Sequence, residues 1–249
     1  MRKILLILLL LGQTRLFAQD LFVTKGKIEF EKTVNVHKNM DAMSTERNSF
    51  WEEVKKKMPV HDVTYFDLYF DSTISLYKPG KETPDQLKGW DYLKGPATKN
   101  VVYKNFATDQ SISLKSVYES SYLIQDSLRK IDWKIKNETR TIAGFECRRA
   151  ETIIMDSIYV IAFYTDRIIS SSGPESFNGL PGMILGLVVP RLYTTWFATK
   201  IQITGISPGD FTPPSKGKKI SKKELMADLQ TAMKDWGNSG DRNIWRIML

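Results

Sequence analysis

Ten stretches of this chain read as strands, most of them alternating apolar and polar residues with a period of two, and that rhythm constrains the fold more than any bulk property. In Lys27–Val36, Ile28, Phe30, Val34 and Val36 share one face, with Glu29, Glu31 and Asn35 on the other. In Tyr193–Thr204, Tyr193, Thr195, Phe197, Thr199, Ile201 and Ile203 stand opposite Thr194, Trp196, Ala198, Lys200 and Gln202. Successive side chains of a strand point to opposite faces of a sheet, so this pattern predicts half-buried strands. The same reading applies to Val63–Phe70, Thr73–Tyr77, Val101–Phe106, Ser111–Lys115, Ser121–Gln125, Phe145–Met155, Ile158–Thr165 and Met183–Val189. Closely spaced strands without helical patterns between them imply an antiparallel sheet. The expected fold class is therefore mainly β: a large curved antiparallel sheet or half-barrel with one or two helices packed on it.

Turn residues punctuate the strands. Asp71-Ser72 and Asp156-Ser157 read as tight hairpin connections, and Ala143-Gly144 turns the chain ahead of the Phe145 strand. Residues 78–99, with Pro79-Gly80, Pro84, Gly89 and Gly95-Pro96, form a long loop whose Trp90 and Tyr92 are expected to cover an edge of the sheet. Two helices are predicted. Asp41–Lys57 lacks Pro and Gly and stops at Pro59. Ser221–Trp236 opens on an S-x-x-E capping box, Ser221 with Glu224, and stops at Gly237. The tail Asn243–Leu249 is too apolar to stay free and is expected to dock.

The first residues, MRKILLILLLLGQTRLFAQD, place Arg2 and Lys3 before an unbroken apolar run and a small residue, Ala18. This is the layout of a secretory leader, with cleavage expected after Ala18. The run is shorter than the roughly 20 residues a bilayer-spanning helix requires. The predicted organisation is a signal peptide over 1–18, a curved β-domain over 19–206, and a Pro-rich connector, helix and apolar tail over 207–249. An exported product, periplasmic and without a transmembrane segment after cleavage, follows as the expectation. Cys147 is the single cysteine, so no intramolecular disulfide forms and the core alone must hold the fold. The formal net charge of +8 includes Arg2, Lys3 and Arg15 of the leader. The remaining lysines are scattered, which reads as a solvated surface and argues against nucleic acid as a partner.

No catalytic, cofactor or metal constellation is visible. The two histidines, His37 and His61, lack Cys, Asp or His neighbours at metal-ligand spacing. No G-x-S-x-G elbow is present. The stretch Gly179-Leu180-Pro181-Gly182 lacks the G-K-[ST] ending of a phosphate loop, and Pro181 removes one backbone N–H. The expectation is a non-enzyme with no cofactor.

That stretch is unusual because its turn signals abut an apolar run, Met183-Ile184-Leu185. Pro181 suits the second position of a type II turn and Gly182 the third. Ile184–Val189 lacks polar alternation, reads apolar on both faces and should be covered on both. Two roles are open for the loop. It is either a folding element plugged into the mouth of the sheet, or a lip on which Phe177, Gly179, Leu180, Pro181, Gly182, Met183 and Ile184 meet an apolar ligand or partner.

Gly179-Leu180-Pro181-Gly182-Met183-Ile184 resembles the signature of the GLPGLI family, exported Bacteroidetes proteins of unknown function. Ile131-Asp132-Trp133, Ile142-Ala143-Gly144 and Cys147-Arg148-Arg149-Ala150 look like the family's Trp, turn and C-x-x-A pattern. The similarity runs to about Gly205. Met183 and Gly186 depart from the family's usual Leu and acidic residue. The resemblance implies an exported, mainly β protein of the cell envelope and supplies no catalytic residues. The layout is also similar to curved-sheet periplasmic lipoprotein carriers, a likeness of fold alone. The functional expectation is a periplasmic protein that binds an apolar small molecule or lipid in a cavity lined by residues such as Phe30, Tyr65 and Phe197. The alternative is an interaction module that docks onto a TonB-dependent outer-membrane receptor through an exposed apolar patch, which the tail would supply if undocked.

Overall fold

Each alternating stretch becomes a strand, and all the strands join one sheet. The computed structural model describes residues 22–43, 49–203 and 205–249. The proposed leader, 1–18, lies outside them. The strands are β1 (Gly26–Asn35), β2 (His61–Phe70), β3 (Ile74–Pro79), β4 (Val101–Asn105), β5 (Gln110–Val117), β6 (Ser120–Ser127), β7 (Lys134–Ile142), β8 (Phe145–Ile154), β9 (Ile158–Thr165), β10 (Met183–Val189), β11 (Thr194–Gln202) and the two-residue β12 (Lys218–Lys219). They lie in the order β12-β6-β5-β4-β3-β2-β1-β11-β10-β9-β8-β7 in an open, curved sheet. Every pairing is antiparallel except β12 with β6.

Local chemistry explains the connections. Asp71 Oδ1 accepts from the backbone N–H of Thr73 at 2.7 Å and of Ile74 at 2.8 Å, closing the β2–β3 turn. Ala143 (φ 47°) and Gly144 (φ 86°) form a two-residue turn between the paired Ile142 and Phe145, the left-handed pair that matches the twist of a hairpin. β7 was not anticipated from the sequence. Its KIKNETRTI is exposed along most of its length, because it is an edge strand with little core to face.

The helices depart more from expectation. The predicted Asp41–Lys57 helix is two described segments, α1 (Val36–Met43) and α2 (Ser49–Lys57). A one-turn α3 (Asp91–Lys94) follows. Trp90 and Tyr92 do not cover a sheet edge. Tyr92 packs near Trp51 of α2 at 6.5 Å, beside a small core of Val36, Met40, Val54, Leu87 and Leu93. The capping box forms as read: Ser221 Oγ accepts from Glu224 N at 3.1 Å and Glu224 Oε2 accepts from Ser221 N at 3.0 Å. It starts α4 (Lys222–Ala232). The tail is itself helical, α5 (Asn238–Met248), and it docks. Arg242 Nη2 and Arg246 Nη2 both donate to Asn39 Oδ1 of α1, at 2.6 and 2.7 Å, and Ile247, Met248 and Leu249 are buried.

One face of the sheet carries the core. Phe30 pairs with Phe66 on one side and Ala198 on the other, and all three are buried. Glu31, the next residue, pairs with Tyr65 and Phe197 on the opposite face. The expected cavity lined by Phe30, Tyr65 and Phe197 together is therefore corrected: a single step along a strand moves a side chain to the other face. Tyr65 donates to Glu31 Oε2 at 2.9 Å, and Phe197 lies under the Arg140 guanidinium at 4.7 Å. Cys147 is fully buried in the main core, and burial pushes its thiol up to about 12, an inert group.

Candidate functional site

The segment between β9 and β10 crosses the inner face of the sheet and fills it. Its turns are built for close approach. Gly179 (φ 91°) donates to Ser171 O at 3.0 Å. Gly182 N donates to Leu180 O at 2.8 Å, two residues back, so the expected type II turn is instead a three-residue γ-turn centred on Pro181. Gly182 has φ 141°, and a Cβ there would meet Thr165 O at 2.1 Å. Phe177, Leu180, Met183 and Ile184 are buried to within 1 % of full cover; Gly179 and Pro181 reach the surface. These side chains belong to the core, so the loop plugs the sheet and does not offer them as a lip. Met183–Val189 is buried along both faces.

Polar groups hold the plug. Ser75 and Ser172 share a hydrogen bond of 2.8 Å. Lys104 Nζ donates to Gly173 O at 2.7 Å and to Phe177 O at 2.8 Å. Asn100 Nδ2 donates to Glu175 Oε2 at 2.9 Å, and Lys115 Nζ lies 3.7 Å from the same carboxylate. All of these polar side chains are buried. Burial pulls the Lys104 ammonium down to about 7 and Lys115 down to about 8, and the Glu175 charge opposes both shifts. Sequence reading missed this cluster. The signal was present, since Lys104 sits in phase with the buried Val102 and Lys115 in phase with the buried Ser113 and Val117.

Beside the plug, an open groove of about 450 Å³ runs between the segment Asp126–Asp132, the end of β8 and α4. Its apolar wall includes Ile131, Ile154, Met155, Met226 and Met248; Arg129, Lys130 and Lys222 add positive charge, Asp126 and Asp132 negative. Arg129 Nη2 donates to Met248 O at 2.6 Å, and burial lowers the guanidinium to about 10. The two histidines lie elsewhere: His37 Nε2 bonds Met58 O at 3.0 Å, and His61 is exposed. Among the described residues no group of three His, Cys, Asp or Glu side chains could hold a metal ion, and no helix is long and apolar enough to cross a membrane.

A family model for a protein of unknown function, Porph_ging, matches residues 151–186, from within β8 to within β10 and across the whole plug. No curated protein matches. Among solved structures the chain is similar to PNGF-II in two crystal forms, at 13% and 14% identity and TM-scores of 0.51, covering 82% and 89% of this chain. The chain spans about one third of PNGF-II's length, 32% and 33% in the two forms. An uncharacterized conserved protein from Thermus thermophilus aligns at 6% identity over 82% of this chain and 93% of that one, with a TM-score of 0.39. The likeness to PNGF-II is one of fold.

Proposed function

We propose that this chain is a non-catalytic, exported envelope protein of the GLPGLI type that binds an amphipathic ligand. The observation that carries this reading is the groove beside the plug. Its volume of about 450 Å³ falls in the usual range for ligand clefts. Its methionines, Met155, Met226 and Met248, adapt to apolar chains of varied shape, and Arg129 and Lys222 suit a polar end. The inner face of the sheet is filled by the chain's own plug, so the binding surface is the groove at its margin. The leader-like first residues support export to the periplasm.

The test is native mass spectrometry of the chain purified gently from its own envelope. The expected result is a bound lipid-sized mass that disappears in Met226→Asp, a half-buried wall residue of the groove. A bare mass with an outer-membrane receptor co-purifying at fixed stoichiometry would overturn the ligand reading in favour of docking onto a TonB-dependent complex. The tail that such docking was expected to use is buried against the fold.

A further inference from the structure

Building on the groove reading, we propose that the inner end of the groove is an oxyanion site that takes a phosphate-type group carried by the ligand. A recess of about 40 Å³ opens there; its lining includes Ser113, Lys115, Asp126, Arg129, Ser176 and Lys222. One buried water needs roughly 10–15 Å³ by the same measure. The recess therefore has the room of one small oxyanion, not of a whole ligand.

Two buried donor atoms of the recess lack partners among the described residues. Lys115 Nζ is buried without a hydrogen-bond partner among the described residues. Its nearest carboxylate oxygen, Glu175 Oε2, is 3.7 Å away and already accepts from Asn100 at 2.9 Å. Arg129 Nη1 is also buried without a partner, while Nη2 is spent on Met248 O. Lys115, Arg129 and Lys222 repel one another. The negative groups beside them are Glu175, Asp126 and the terminal Leu249; Asp126 Oδ1 accepts from Ser127 N at 2.8 Å and Leu249 O from Ser176 N at 3.2 Å. Two buried cationic donors without acceptors are costly to maintain. An oxyanion in the recess would accept from both, with serine hydroxyls of β5 and the plug at hand. Charge-assisted bonds of this kind are the strong class. A neutral hydroxyl or carbonyl would supply an acceptor without balancing the charge. Because Ser176 belongs to the plug, the site also joins the ligand to the element that fills the sheet.

Isothermal titration of the full chain with inorganic phosphate, octyl phosphate and octyl glucoside tests this. Phosphate is expected to bind weakly, octyl phosphate at least tenfold more tightly, and octyl glucoside not measurably. Lys222→Gln, at the exposed rim, should weaken octyl phosphate about fivefold with unchanged thermal unfolding; Lys115→Met should weaken it further. Octyl glucoside binding as tightly as octyl phosphate would overturn the oxyanion site and leave the groove reading standing. Phosphate binding with no gain from the octyl chain would keep the oxyanion site, assign it to free phosphate, and sink the groove reading. Silence from all three ligands would overturn both.

Discussion

A methyl group on Gly182 would sit 2.1 Å from the Thr165 carbonyl oxygen, on a backbone already at φ 141°. Gly144 is the useful contrast: its φ is 86°, but a Cβ there meets nothing within 4 Å. Gly182→Ala is expected to cost about 2–4 kcal/mol, from backbone strain and overpacking together. Gly144→Ala should cost about 1 kcal/mol, from conformation alone. Denaturant unfolding of the two variants separates these causes; equal losses would mean that the close approach to β9 is not what Gly182 provides. The apolar residues beside Gly182 were legible as special from the sequence, because turn signals abutted a greasy run. Their destination was not. Whether Leu180 and Met183 turn inward or outward depends on how the segment crosses strands far away in sequence, and no local pattern encodes that crossing. Lys104 and Lys115 show the same limit. Their phase on the strand marks them as inward, yet nothing nearby in sequence announces Gly173, Phe177 or Glu175 as their partners.

At the scale of elements, the hairpins were readable because their determinants are local: an Asp that accepts from its own turn, and a left-handed Ala-Gly pair. β7 was not, because an edge strand exposed on both faces has no apolar rhythm to detect. The two C-terminal helices were half legible. The capping box gave α4 its start, and the tail's composition required docking, but the dock itself is long-range. Asn39 of α1 accepts from Arg242 and Arg246 together, across about two hundred residues of chain. Asn39→Ala leaves two substantially buried guanidinium groups short of an acceptor. It is expected to cost about 2–4 kcal/mol and to raise hydrogen exchange across Asn238–Met248 before the sheet exchanges. Uniform exchange of helix and sheet would show instead that α5 is held by its apolar face alone.

At the scale of the whole molecule, buried amines give the fold an alkaline preference. Lys104 titrates near 7 when folded against 10.5 as a free side chain. Between those values the unfolded chain binds more protons than the folded one, so stability rises with pH across that window. Lys115, near 8, acts in the same direction. Tyr77, raised well above its ordinary 10 by burial, reverses the trend beyond pH 10, where the unfolded chain loses a proton that the folded chain keeps. Cys147, its thiol raised from 9.0 to about 12, opposes the rise from about pH 9, so unfolding free energy measured from about pH 6 to 11 should peak near pH 10, and Lys104→Met should flatten the rising limb. A flat profile between about pH 7 and 9 would show that Lys104 and Lys115 stay charged in the folded state. The strand order also has a consequence for how the chain assembles. β1 to β6 run in order on one side and β7 to β11 on the other, and the seam between them is β1 against β11, where Phe30 meets Ala198. Each half can condense from neighbours in sequence, while the seam must wait until β11, ending at Gln202, has been made. Joining it closes the longest loop in the sheet, the step that topology makes slow. Until then the apolar inner faces of two half-sheets stand open to water, so the molecule's most vulnerable moment comes just before its centre is sealed.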